Sequence, residues 1–222
     1  MIYEIESECF LKSISGNITE VIKAQSIAAA YKDTRAFKSY TDGKAFFLLF
    51  GSSAMVFGEA SDAEEAEDFL RLSGVVSASG EVSGFRGKRV RYSVMRAFGD
   101  GSERTAESIY AAARIMSDAF GLDFNEVYPD LCLRVNKGVA KVYCDGVSAA
   151  AVHTCGAGNL LTGVCVRENE RGKGNGVNAV KRAKNLALGE VYVVCRESLE
   201  GFYGKNGFIK TAETEEIYFG EI

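Results

Sequence analysis

The chain passes from an apolar run, Leu160–Val166, through Arg171-Gly172-Lys173-Gly174-Asn175-Gly176 into a segment with helical apolar spacing, Val177–Leu188. A glycine-rich junction between a strand and a helix restricts what this part of the chain can become. Glycine reaches backbone conformations closed to other residues, and it lets the main chain approach a ligand and point successive N–H groups at it. The helix N-terminus behind such a loop carries a partial positive charge that favours phosphate. The junction therefore predicts α/β architecture and a phosphate-bearing, nucleotide-like ligand.

Two common phosphate loops fail on residues they require. A P-loop needs Ser or Thr directly after Gly-Lys, and here Gly172-Lys173 is followed by Gly174. A dinucleotide fingerprint needs Gly-x-Gly-x-x-Gly and an acidic residue about 20 positions on. Here the glycines fall at 172, 174 and 176, and the next strand reads Val191-Tyr192-Val193-Val194-Cys195. Arg171, Gly174 and Gly176 do occupy the fixed positions of Arg/Gln-x-x-Gly-x-Gly/Ala. Further on, Gly201-Phe202-Tyr203-Gly204-Lys205-Asn206-Gly207-Phe208 is similar to a late Phe/Leu-Tyr-x-x-x-Gly-Phe element. With a helix and a strand between them, these two motifs resemble the GNAT superfamily of acyl-CoA-dependent N-acyltransferases. The resemblance covers roughly residues 88–222.

The 222 residues are 47% hydrophobic and 25% charged, as expected of a soluble globular protein with one large or two small cores. Apolar runs such as Ala45–Phe50 are too short to cross a bilayer, and the start, Met-Ile-Tyr-Glu-Ile-Glu, is acidic and unlike a secretory leader. No membrane association is expected. Six cysteines (9, 132, 144, 155, 165 and 195) form no Cys-x-x-Cys pair and read as reduced thiols of a cytoplasmic protein. With a single histidine, no metal site is expected. A net charge of −4 argues against a nucleic-acid partner. Between Arg167 and Lys184, however, six basic and two acidic residues give a local +4. Lys181 and Lys184 fit a solvated helix face; Arg171 and Lys173, flanking the glycines, fit phosphate attraction.

The expected organisation is a smaller N-terminal α/β segment, 1–87, and a GNAT-like domain, 88–222, divided at Ser83-Gly84-Phe85-Arg86-Gly87. In the first, Ile18–Tyr31 has helical spacing, and Ala45–Phe50 and Ala54–Phe57 form a hairpin. Ser61-Asp62-Ala63-Glu64 opens a helix that runs to Gly74, and Val75–Ser79 reads as a strand. This segment carries no recognisable chemistry. It could be a degenerate half of the same fold, but the sequence shows no repeat strong enough to claim.

In the second part Val90–Val94 alternates as a strand, and Thr105–Phe120 is a helix ended by Gly121. A helix near residues 124–135 should begin at Pro129 rather than pass through it. Strands follow at Val139–Cys144, Val147–Cys155 and Leu160–Val166, the first pair turning at Asp145-Gly146. The helix after the glycines should place Val177, Val180, Ala183 and Ala187 inward and end at Gly189. Strand Val191–Cys195, a short helix at Leu199–Tyr203, and strands Phe208–Ala212 and Glu216–Phe219 complete the chain. The expected fold is a mixed, mostly antiparallel sheet with helices on both faces.

The resemblance implies direct attack of an acceptor amine on the thioester of acetyl-CoA. It places Val164, Cys165 and Val166 along the pantetheine arm and Arg171, Gly172, Lys173, Gly174, Asn175 and Gly176 around the diphosphate. Backbone amides of the strand can polarise the carbonyl; a plain core strand would look the same in sequence. Tyr203 matches the family's frequent general acid, since a phenol of pKa about 10 can protonate a departing thiolate; it could equally be a wall residue beside Phe202. A base must also receive the proton of the ammonium. His153 is the one histidine, and Glu197 and Glu200 are its rivals. Arg196-Glu197 stands where many members carry an asparagine on the cofactor, a departure from the pattern. The expected partners are acetyl-CoA and an amine-bearing small molecule, with homodimerisation left open. The alternative is a non-catalytic module that binds CoA as a sensor or scaffold.

Overall fold

The computed structural model describes residues 1–106 and 108–220. The chain divides into two compact units, Met1–Ser93 together with the chain from Glu213 on, and Val94–Ala212. The division falls inside two strands, β6 (Lys88–Asp100) and β11 (Ile209–Tyr218), which contribute to both units.

Unit 1 runs β1 (Tyr3–Glu4), α1 (Ser7–Ser13), α2 (Ile18–Tyr31), β2 (Phe37–Thr41), β3 (Phe46–Phe50), β4 (Ser53–Phe57), α3 (Ala63–Leu72) and β5 (Ser77–Gly80). The hairpin β3–β4 and helix α2 lie where the spacing predicts them. Asp62, rather than Ser61, caps α3, accepting from the N–H groups of Glu64 (2.9 Å) and Glu65 (3.1 Å). Phe47, Leu49, Val56 and Leu70 form one core cluster, and Phe10, Leu48, Met55 and Phe57 form another. Alternation along β3 and β4 thus sends successive side chains to opposite faces of the sheet. The terminal strand β11 pairs antiparallel with β5, Ile217 opposite Ala78.

Unit 2 continues α4 (Ile109–Phe120), α5 (Phe124–Asn136), β7 (Ala140–Cys144), β8 (Ser148–Cys155), β9 (Gly158–Val166), a 3-10 turn at Glu168–Glu170, α6 (Asn175–Lys184), β10 (Leu188–Cys195) and α7 (Glu200–Lys205). β6 neighbours β10, and the order continues β9, β8, β7. The small residues of β8 let helices approach both faces. Ala149 and Ala151 pack with Ile115 and Met116 of α4, and Ala150 and Val152 pack with Ala179, Val180 and Ala183 of α6. The sheet is mixed and mostly antiparallel, with helices on both faces, as expected.

Several boundaries differ from the sequence reading. α5 passes through Pro129 rather than starting there. The proline stands in the second turn, where it removes one helical hydrogen bond. Asp123 caps the start through the Asn125 N–H (2.8 Å), and Phe124, Tyr128 and Leu131 anchor the helix in the core, which offsets that loss. α6 starts at Asn175 and ends at Lys184, and Gly189 lies in β10. Val177 is exposed, whereas Val180, Ala183 and Ala187 are buried as expected, with Ala179 beside them. The two expected late strands are one, β11. β1, α1 and β2 were not legible in the sequence.

The units repeat one order of elements. The series α1, α2, β2, β3, β4, α3, β5 in unit 1 parallels α4, α5, β7, β8, β9, α6, β10 in unit 2. The pairings repeat too. β2–β3 and β3–β4 are antiparallel and β4–β5 parallel, as β7–β8 and β8–β9 are antiparallel and β9–β10 parallel.

Candidate functional site

In unit 2 the parallel pair β9–β10 is joined only at Asn159–Leu161 opposite Val191–Val193. Beyond Leu161 the two strands run on without pairing, β9 to Val166 and β10 to Cys195. A bulge accompanies the parting. Ala149 faces Cys165 while Ala151 faces Thr162, so β9 holds one extra residue there, and Gly163 takes φ +61°. An extra residue bends a strand and raises its twist, which turns β9 away from its neighbour. The edge of β9 from Thr162 on loses its strand partner, leaving main-chain polar groups along a cleft. That cleft holds a cavity of about 280 Å³ lined by Phe120, Val164, Cys165, Val166, Phe202 and Tyr203, among others.

The cleft leads to the glycine loop. Gly172 and Gly174 have φ +77° and +86°, values that a side chain would strain. A Cβ at either would meet no atom within 4 Å, so open space, not crowding, surrounds the loop. Gly174 is the N-cap of α6 and has no side chain to satisfy the first N–H groups of the helix. Arg171 is exposed and holds only a long contact from Nε to the Val166 oxygen, 3.4 Å. Lys173 pairs with Glu170 at 3.1 Å on the surface, a contact worth under about 1 kcal/mol that an anion can displace. Asn175 Nδ2 donates to the Glu170 carbonyl (3.0 Å) and braces the loop from within. Gly176 lies against Phe202 and Val166. The arrangement offers an uncapped helix end and two cations, suited to a diphosphate.

Tyr203 is 7% exposed, wedged edge-on between Phe202 and Phe208, and its hydroxyl makes no hydrogen bond among the described residues. Burial pushes the phenol up to about 12, with Cys195 nearby adding to the shift. Burial also pushes the Cys165 thiol, which lines the same cavity, up to about 11. The phenol stays protonated at neutral pH and can act as a proton donor.

The other sequence candidates lie elsewhere. His153 stands on β8 opposite Leu160, at the level where β9 and β10 are still joined. Its Nδ1 is 3.3 Å from Nη1 of the buried Arg134, which in turn bonds Asp130 at 2.7 Å. Burial, and then the neighbouring arginine, push its imidazole down to about 4. It does not line the cleft cavity. Glu197 is exposed before α7, and Glu200 pairs with Lys210 at 3.0 Å. The structure thus brings together Val164, Cys165, Val166, Arg171, Gly176 and Tyr203, while His153 stays on the α5 face of the sheet. Sequence reasoning missed the end of α4, where Ala119 and Phe120 line the cleft, and the bulge glycine Gly163. A glycine within a strand pattern was the available signal for the bulge.

Solved structures share this architecture. A GCN5-related N-acetyltransferase from Kribbella flavida is 15% identical, aligns over 93% of this chain and 98% of its own, and superposes with a TM-score of 0.59. A second, from Sphaerobacter thermophilus, is 12% identical over 97% and 94% with a TM-score of 0.58. A tandem GNAT protein from the clavulanic acid biosynthesis pathway is 9% identical over 100% and 99%, with a TM-score of 0.53. No protein-family model and no curated protein matches the chain. The chain has the fold of the GNAT superfamily of N-acetyltransferases.

Proposed function

We propose that unit 2 transfers an acetyl group from acetyl-CoA to the amine of an acceptor. The observation that carries this reading is the parting of β9 from β10 beside an uncapped, glycine-lined helix end, with Tyr203 lining the same cleft. The diphosphate would lie on Gly172–Gly176 with Arg171 and Lys173, and the pantetheine arm along Val164–Val166. The neutral amine attacks the thioester carbon, forming the C–N bond. The C–S bond breaks, Tyr203 gives its proton to the leaving sulfur, and the proton released by the new amide nitrogen returns to solvent. Main-chain N–H groups on the free edge of β9 stabilise the oxyanion. The bonding of His153 to Arg134 supports a structural role for that histidine. Among the described residues no group of three or more His, Cys, Asp or Glu side chains gathers that could hold a metal ion.

In unit 1 the corresponding features support a closed copy without a cofactor site. β4 and β5 stay joined from Ser53–Ser77 to Val56–Gly80, and the Glu81 N–H continues the ladder to the Val56 carbonyl (3.0 Å). The N-terminus of α3 is already occupied by the Asp62 carboxylate, with Glu64 and Glu65 in the first turn, which repels an anion.

Calorimetry with CoA and thiol release from acetyl-CoA over a panel of primary amines test both statements. One CoA should bind per chain, and Gly174→Glu, which sets a carboxylate at the helix end, should weaken it by more than about 100-fold. Unchanged affinity in a folded variant would make the loop a plain turn. Tight CoA binding without turnover of any amine would assign the protein to the non-catalytic alternative.

A further inference from the structure

The turn between β7 and β8 touches the glycine loop of unit 2 at both of its ends. At the entrance, the Arg167 N–H donates to the Val147 carbonyl (2.9 Å) and Arg167 Nε to the Gly146 carbonyl (2.9 Å). At the exit, Asn178 Nδ2 donates to the Tyr143 hydroxyl oxygen at 3.3 Å, and that hydroxyl donates to Asp145 at 2.7 Å. The Asn178 N–H donates to the Gly174 carbonyl (3.2 Å) and so closes the first turn of α6. Whatever holds the Asn178 side chain therefore also holds the direction of the uncapped N–H groups at the start of that helix. Tyr143 is buried. Burial, and then the Asp145 carboxylate, push its phenol up to about 12, so at neutral pH it stays a donor to Asp145 and leaves its lone pairs to Asn178.

Unit 1 shows what such a turn needs for its own sake. Its β2–β3 hairpin repeats the residues of the β7–β8 hairpin. Lys38-Ser39-Tyr40-Thr41-Asp42-Gly43 matches Lys141-Val142-Tyr143-Cys144-Asp145-Gly146 at Lys, Tyr, Asp and Gly. The registers agree, with Tyr40 opposite Phe47 and Tyr143 opposite Ala150. In both hairpins one carboxylate oxygen of the aspartate takes two N–H groups of the turn. These are Lys44 and Ala45 (2.9 and 2.8 Å) in unit 1, and Val147 and Ser148 (3.0 and 2.7 Å) in unit 2. The second oxygen is where the copies differ. Asp42 gives it to the N–H of Ser61 (2.6 Å), just ahead of the cap of α3, and the Tyr40 hydroxyl has no hydrogen bond among the described residues. Asp145 gives it to the hydroxyls of Tyr143 and, at 3.1 Å, Ser148, and takes no main-chain N–H of Gly172–Gly176. Locking the turn accounts for the first oxygen in both copies and leaves the second unexplained.

We propose that Asp145, Tyr143 and Asn178 are positioning residues for the diphosphate of CoA. They brace the first turn of α6 through the β7–β8 turn, so that the amides of the glycine loop are held in place and kept free for the ligand's phosphates. None of the three touches the ligand. This rests on the reading that places the diphosphate at Gly172–Gly176, and adds the residues that hold that loop.

Two single variants cut the chain at different links. Tyr143→Phe removes the hydroxyl and keeps the ring, whose centroid lies 5.5 Å from the Arg182 guanidinium carbon. Asn178→Ala leaves Tyr143 and Asp145 bonded to each other. Calorimetry with CoA should show Kd raised about three- to tenfold in each, the scale of one hydrogen bond. The double variant should bind no more weakly than the worse single one, as for members of one network. Tyr40→Phe, at the matching place in unit 1, should leave Kd unchanged. In thiol release, kcat/KM should fall with acetyl-CoA and stay within about twofold of wild type with S-acetylpantetheine, which has the thioester arm and no diphosphate. A loss shared by both donors would mark a general loosening of unit 2 and overturn the proposal. So would unchanged CoA affinity in both single variants, or losses that add in full. CoA binding without turnover of any amine removes acetyl transfer alone, and the pattern of Kd across the variants then supports or overturns this proposal. A wild type that binds no CoA removes both.

Discussion

Tyr203→Phe removes one oxygen and leaves the ring. The phenylalanine keeps both edge-on contacts, to Phe202 at 5.1 Å and to Phe208 at 5.6 Å between centroids. The lost hydroxyl has no hydrogen-bond partner among the described residues, so its removal leaves no orphaned donor or acceptor behind. Stability should stay within about 1 kcal/mol of wild type. The kinetic effect should be far larger. Burial pushes the phenol up to about 12, so it stays protonated at neutral pH and is available to donate to the leaving sulfur. The alternative is a bare thiolate released against the apolar walls formed by Phe120, Val164 and Phe202, which disfavour an unpaired charge. Loss of a positioned acid costs at least about 100-fold, about 2.7 kcal/mol of barrier. The assay is steady-state thiol release from acetyl-CoA, with thermal denaturation of both proteins alongside. kcat should fall by about 100-fold while KM for acetyl-CoA moves little, since the contact forms in the transition state. The deficit should shrink with a thioester whose leaving thiol is more acidic, because that thiolate needs less protonation. A kcat within about twofold of wild type, or a deficit that ignores the leaving group, would refute the role of Tyr203 as acid.

Two further tests concern stability. The His153 imidazole is held neutral in the folded chain, near 4 against a reference of about 6.5, so below 6.5 unfolding takes up a proton that the fold refuses. Its contribution is complete above pH 6.5 and declines as pH falls toward 4, by about 3 kcal/mol in total. Denaturant titrations should show a steeper acid-side loss for wild type than for His153→Gln, and parallel curves would sink the assignment. Pro129 is exposed within α5, and its ring forbids the hydrogen bond to the Asn125 carbonyl. Pro129→Ala should therefore raise stability by about 1–2 kcal/mol in thermal denaturation, the helix gain being partly cancelled by a freer unfolded chain; destabilisation would mean that the proline is locally favoured.

Much of the architecture could be read from local pattern. α2 was legible to the residue, because its apolar spacing and the preceding Asn17, whose side chain accepts from the Thr19 N–H at 3.0 Å, are both local signals. The β7–β8 turn at Asp145-Gly146 was legible for the same reason: the Asp145 carboxylate takes the N–H groups of Val147 (3.0 Å) and Ser148 (2.7 Å) within the turn itself. The glycine loop announced its backbone geometry, since positive φ at Gly172 and Gly174 is a property of those residues. Short elements such as β1 and α1 escaped, having too few residues to show a period. Pro129 misled because a single local rule was outvoted by packing along the whole of α5.

The sequence by itself determined which groups are available: a glycine loop flanked by two cations, a phenol, a histidine and an apolar strand before the loop. Their assembly was decided only by the tertiary structure. Whether β9 parts from β10 depends on register and on the bulge at Gly163, and register is a relation between strands that no single segment encodes. The same is true of unit 1, where an equivalent succession of elements stays joined through Gly80 and forms no such opening. His153 and Tyr203 were both candidates along the chain, the first as base and the second as acid. Three-dimensional packing put the first against Arg134 at the closed end of the sheet and the second in the cleft, because a strand sends its residues to one face or the other and one level or another only once its neighbours are in place.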